Sequence, residues 1–274
     1  MRGTFGTGRL IRLRKILVAL AVLAAVVLVL AWFLPARWVM PWVEPQLHGL
    51  RLQQVQGTVW NGAAGNVLDA DGRRLGQVRW QLSRRALLGR LQMQLAFDGP
   101  QADFSGTVRR TAQGRVEGEG WRLHADLAAT DVPLPVDWGA PLGELQLTVD
   151  HVLLQGGWPL QLQAQGRWQR AAVHTTEGEL ALGELQGSAQ AQGGVIHAQW
   201  HDQGDGPLQV RGELQLSPLG WRLDSTLRAR HGDPALQRWL ARLGPVAPDG
   251  SVHIRQAGGL AANPPSNRQD ATLP

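Results

Sequence analysis

From about residue 50 onward the chain alternates apolar and polar positions. Leu91, Met93, Leu95 and Phe97 are separated by Gln92, Gln94 and Ala96. Leu145, Leu147 and Val149 are separated by Gln146 and Thr148, and Leu160 and Leu162 flank Gln161. Leu208, Val210, Leu214 and Leu216 share one parity, with Gly212 in the gap. Successive side chains on a strand face opposite ways, so a period of two predicts strands with one apolar face and one rich in Gln, Arg and Thr. That pattern suits an antiparallel sheet with one face buried and one in water.

Turn residues separate these stretches. Asn61-Gly62 and Asp71-Gly72 are two-residue hairpin signals in which both central residues need positive φ. They predict a meander of Val55–Trp60, Ala63–Ala70 and Arg73–Leu82. Gly156-Gly157, Gly193-Gly194, Gly204-Asp205-Gly206 and Asp249-Gly250 punctuate the later strands. Gly118, Gly120 and Gly187 fall inside strands, where glycine marks bulges or bends, so the sheet is expected to curve. Two segments depart from the alternation. Ser83–Gly89 fits one helical turn. Asp233-Pro234 starts a helix, followed by Leu236, Trp239, Leu240 and Leu243 on one face and ended by Gly244-Pro245. Pro133, Pro135 and Pro141 mark a candidate seam at 131–141.

A different pattern precedes the strands. Ile16 to Leu34 is unbroken apolar sequence, and about 20 apolar residues cross a bilayer as a helix. Signal peptides have a shorter apolar core and a small-residue cleavage site. This run instead ends in Trp32-Phe33-Leu34-Pro35, so an uncleaved anchor is expected. Trp32, Trp38 and Trp42 fit an aromatic belt at the outer interface. Arg2, Arg9, Arg12, Arg14 and Lys15 precede the run, and no acid occurs before Glu44, which predicts a cytoplasmic N-terminus. The expected organisation is a basic tail at 1–15, a transmembrane helix at 16–34, an exported β-domain at 35–256 and a disordered tail at 257–274. The fold class is mainly β: one N-terminal transmembrane helix, then an elongated, curved antiparallel sheet with one short C-terminal amphipathic helix.

Charge alters little. The net charge of +5 equals the five cations before the apolar run, so the remainder is formally neutral and no nucleic-acid surface is expected. With no cysteine there is no disulfide, thiol nucleophile or zinc–thiolate site. No Gly-x-Ser-x-Gly elbow or Ser-x-x-Lys pair occurs, and Lys15 is the only lysine, so no catalytic residues, cofactor or small-molecule substrate are assigned. His197 and His201 lack an intervening Glu and are read as solvent-facing. Glu117-Gly118-Glu119 and Glu177-Gly178-Glu179 each place two carboxylates on one strand face. With no third ligand apparent, they are read as solvated faces and no metal is assigned. Trp80, Trp121, Trp168, Trp200 and Trp221 lie within strand patterns and are read as core; the alternative is a groove that anchors a partner.

One motif is more specific. Gly57-Thr58-Val59-Trp60-Asn61-Gly62 follows the apolar run, and Leu75-Gly76-Gln77-Val78-Arg79-Trp80-Gln81-Leu82 and Leu87-Leu88-Gly89 come after it. Leu236, Trp239-Leu240, Leu243-Gly244 and Pro248-Asp249-Gly250 close the chain. This order resembles the type II secretion system protein N family, well over residues 50–90 and loosely over 16–256. The resemblance implies a non-enzymatic, single-pass inner-membrane scaffold with most of its chain in the Gram-negative periplasm. It would serve the machine that exports folded proteins across the outer membrane. The implied partners are other inner-membrane secretion components and the periplasmic region of the secretin. Gly57, Thr58, Val59, Trp60, Asn61, Gly62 and Trp80 are the candidate interaction residues, though a structural hairpin explains them as well. The alternative reading, from the alternation itself, is a lipid-binding or lipid-transfer protein with a curved apolar groove.

Overall fold

The computed structural model describes residues 33–47, 49–111, 113–129 and 138–260. The expected basic tail, the apolar span from Ile16 with Trp32, and most of the 131–141 seam and of the C-terminal tail lie outside these residues. Among the described residues no helix is long and apolar enough to cross a membrane.

A single antiparallel sheet of thirteen strands dominates, with every strand beside its neighbours in sequence. The strands are β1 (Arg51–Gly57), β2 (Asn61–Leu68), β3 (Arg74–Leu82), β4 (Gln92–Asp98), β5 (Ala102–Arg110), β6 (Val116–Asp126) and β7 (Ala140–Gln155). They continue as β8 (Trp158–Thr175), β9 (Gly178–Gln192), β10 (Val195–Asp202), β11 (Leu208–Ser217), β12 (Gly220–Ala229) and β13 (Ser251–Gly259). Helix α1 (Ala36–Val43) precedes β1, and helix α2 (Pro234–Leu243) lies between β12 and β13. β13 extends through Gly259, so residues 257–259, expected to lack regular structure, are strand.

The register turns the alternation into two chemically distinct faces. One row crosses the whole sheet through Val55, Ala64, Val78, Phe97, Phe104, Leu123, Leu147, Gly166, Gly187, Trp200, Gly212, Ser225 and Ile254. It carries one hydroxyl and no charge. The next row, on the other face, runs through Gln56, Ala63, Arg79, Ala96, Ser105, Arg122, Thr148, Gln165, Ser188, Gln199, Glu213, Asp224 and Arg255. Long strands keep this separation through bulges, which bend a strand and restore its parity. Gly120 (φ 61) lies at one between β5 and β6, and Arg170 (φ 47) at one between β8 and β9.

Asp233 caps α2 by accepting from the N–H of Ala235 at 2.8 Å, as the sequence predicts. Leu236, Trp239 and Leu240 are buried over one end of the apolar face, against Leu208, Val210, Leu227 and Val252. Ser83 likewise caps a 3-10 turn at Arg84–Leu88, closed by Gly89 at φ 78.

Candidate functional site

The motif forms the junction between the sheet and the chain that enters it. Gly57 ends β1 at φ 82, a left-handed conformation that favours glycine, and a Cβ there would run into the Asn61 carbonyl. The turn then passes through Thr58, Val59 and Trp60. The Thr58 N–H donates to the Asn61 carbonyl at 2.9 Å, and the Asn61 N–H donates to Thr58 Oγ1 at 3.1 Å. The Val59 N–H donates to the Leu34 carbonyl at 3.0 Å, and Pro35 forms an antiparallel bridge with Thr58. The hairpin therefore grips the two residues that leave the apolar run. Trp60 is 8% exposed.

The expected two-residue turn at Asn61-Gly62 is not formed. Neither residue has positive φ, both lie in β2, and Gly62 pairs with Gly57. The turn falls three residues earlier because Gly57 supplies the positive φ. Gly62 instead makes room for an aromatic ring: Trp80 lies over it, and a Cβ on Gly62 would strike the indole. The Trp80 Nε1–H donates to the Val59 carbonyl at 3.2 Å, joining β3 to the turn. Asp71-Gly72 does lie in a turn, but only Gly72 takes positive φ (80), with its N–H donating to the Asp69 carbonyl at 3.2 Å.

The other strand tryptophans repeat the Trp80 arrangement. Trp121 lies over Gly106 and Gly118, Trp200 over Gly212, and Trp221 beside Gly258. The indole N–H of Trp121 donates to Thr107 O and that of Trp168 to Leu142 O, each at 2.9 Å. All five occupy the apolar face. None is fully buried, and Trp221 is exposed. The core expectation holds in part: Trp168 and Trp200 pack against the buried cluster under α2, and Trp121 against Val149, Val152 and Ala164, whereas Trp80 lies over the motif turn and Trp221 is exposed.

The polar face holds the first acidic pair. Glu117 and Glu119 share it, and the β6–β7 register brings His151 beside them. The three ligand atoms lie within 4.8 Å of one another. His151, the third group the sequence did not suggest, depends on a long-range register that no local spacing reveals. Arg109 already answers this charge: its guanidinium pairs with Glu119 and lies 3.8 Å from Glu117. Glu177 does not share a face with Glu179. It sits in the turn before β9 and pairs with Arg238 and Arg242 of α2, tying the helix to the sheet. His197 and His201 are both exposed on β10, four residues apart on an extended strand, roughly 13 Å.

Two carboxyl groups stand out electrostatically. Burial would raise the Asp202 carboxyl, but the Val210 N–H, the Arg230 guanidinium and the Gly204 N–H hold it below the usual carboxylate range. Glu144, on the polar face, is lowered chiefly by its hydrogen bond from Arg170.

A family model described as "Type II secretion system (T2SS), protein N" matches residues 48–255. The chain is also similar to two curated proteins called "Type II secretion system protein N". That of Vibrio cholerae serotype O1 is 31% identical over 180 residues, covering 63% of this chain and 69% of the relative. That of Aeromonas hydrophila is 29% identical over 216 residues, covering 75% and 82%. No solved structure matches.

Proposed function

The chain belongs to the type II secretion system protein N family, a component of the secretion machinery, and on that premise we propose that it is an accessory, non-enzymatic inner-membrane scaffold. The N-terminus lies in the cytoplasm, the apolar run anchors the chain, and the sheet extends into the periplasm. The observation that carries this reading is the arrangement of the sheet about its tether. β1 is bound through the motif turn to Leu34 and Pro35, while β13 forms the opposite edge, with eleven strands between them. A sheet held at one edge near its anchor presents its other edge to partners, and β13 beyond its bridge from Val252 to Val246 can accept a strand. The partners are other inner-membrane secretion components and the periplasmic region of the secretin.

Affinity capture of the full-length protein from membranes after mild cross-linking tests the proposal. Secretion components should dominate the eluate. An unrelated set of proteins would overturn the scaffold role. A periplasm-active reporter fused after Pro274 should be active; activity of a cytoplasmic reporter there would reverse the orientation.

A further inference from the structure

The apolar face continues well beyond the part that α2 covers. The row that crosses all thirteen strands has a contour of roughly 60 Å at about 4.8 Å per strand. That is about twice the hydrocarbon thickness of a bilayer. Its members on β3 to β7, among them Phe97, Phe104, Leu123 and Leu147, are half-buried by their neighbours on the same face. We propose that this face binds the acyl chains of a membrane phospholipid.

Three observations select hydrocarbon as the occupant. The row offers no charge, and its polar side-chain groups are the Trp200 indole N–H and the Ser225 hydroxyl, which already donates to the Arg211 carbonyl at 3.3 Å. The indole N–H groups of Trp80, Trp121 and Trp168 are likewise committed to backbone carbonyls. A protein surface is only a little more than half apolar, so one laid here would bury polar groups without partners. An acyl chain has none to bury.

The second observation is continuity with the membrane side of the molecule. The row begins at Val55 on β1, the strand whose turn holds Leu34 and Pro35. Around that junction Phe33, Trp38 and Trp42 are 68%, 64% and 80% exposed, as aromatic residues at a bilayer interface are. The third is the character of the chain beyond β13. Residues 261–274 include Asn263-Pro264-Pro265-Ser266-Asn267 and carry too few apolar side chains to cover the face themselves. The proposal is independent of the scaffold role, since partner capture and lipid contact can each fail without the other.

The test uses the full-length protein reconstituted in vesicles of phosphatidylethanolamine and phosphatidylglycerol. These contain a trace of phosphatidylcholine with a diazirine in one acyl chain. After illumination, adducts are mapped by peptide mass spectrometry. They are expected at Phe97, Leu123 and Leu147 as well as at 33–43, and not at the polar-face neighbours Arg122 and Thr148. Leu123→Glu should lose the adducts on β5 to β7 while Arg122→Glu keeps them, with circular dichroism and melting confirming that both fold. If Leu123→Glu does not fold, the wild-type map alone decides. Adducts confined to 33–43, or equal on the two faces, would overturn the proposal. So would a photo-reactive residue at position 123 that in cells captures a protein helix and no lipid.

Discussion

The two ends of the sheet handle the same apolar face differently. At the C-terminal end α2 lays Leu236, Trp239 and Leu240 over Leu208, Val210 and Val252, and these residues are almost fully buried. From β3 to β6 no helix among the described residues lies on the face, and Val78, Phe97, Phe104 and Leu123 remain half-buried. The alternation is equally regular in both places. Strand periodicity therefore determines which side chains share a face, while coverage depends on an element supplied from elsewhere in the chain.

Trp60 is the largest exception at the N-terminal end, because the motif turn buries it without α2. Trp60→Ala should cost about 3–5 kcal/mol in denaturant unfolding, the usual loss for a buried tryptophan. A loss under 1 kcal/mol together with failed partner capture would instead make Trp60 a docking residue. The coverage comparison itself rests on two leucines. Leu240→Ala, at 1% exposed, should cost about 2–5 kcal/mol. Leu123→Ala should cost roughly 1 kcal/mol, since less of its surface is withdrawn from water. Equal losses would show that something covers β6 as completely as α2 covers β12.

The two lowered carboxyl groups sharpen the same contrast. Asp202 anchors the covered end through Val210 and Arg230. Its folded-state pKa is depressed, so its stabilisation is present above the ordinary value of 3.8 and is lost as pH falls through the lower folded value. Asp202→Asn should remove a distinct part of the acid-unfolding limb. Glu144→Gln, on the exposed polar face, should leave that limb almost unchanged, because solvent screens exposed pairs. An equal response from the two variants would contradict the contrast.

Strand faces, the helical turn at Ser83–Gly89, the Asp233 cap and the family motif are all legible in the sequence, because each rests on residues close together in the chain. Leu145, Leu147 and Val149 declare their common face by spacing alone, and Asp233-Pro234 places its cap without tertiary help. What was not legible depends on pairing at a distance. His151 joins Glu117 and Glu119 only through the β6–β7 register. Glu177 meets Arg238 and Arg242 only because α2 folds back onto the β8–β9 turn. The alternation cannot say whether a second layer exists, so it does not separate Trp121, Trp168 and Trp200, which pack against buried clusters, from Trp221, which is exposed.

The turn in the motif shows how a locally strong signal can still be displaced. Asn-Gly favours a two-residue turn, yet here Gly57 takes the left-handed conformation and Asn61-Gly62 enters the ladder. Gly57→Ala should therefore be costly. A left-handed non-glycine residue loses about 1–2 kcal/mol, before the clash of the new Cβ with the Asn61 carbonyl is counted. Asn61→Ala should be the mildest change in the motif, within about 0.5 kcal/mol. The side chain is exposed, its φ is ordinary, and the bonds it shares with Thr58 are made by its backbone. Melting of the two variants separates the two turn positions. Gly57→Ala should lower the melting temperature and Asn61→Ala should leave it nearly unchanged. The reverse order would put the turn back at Asn61-Gly62, and with it would go the grip of Val59 on Leu34 that ties the sheet to the chain preceding it.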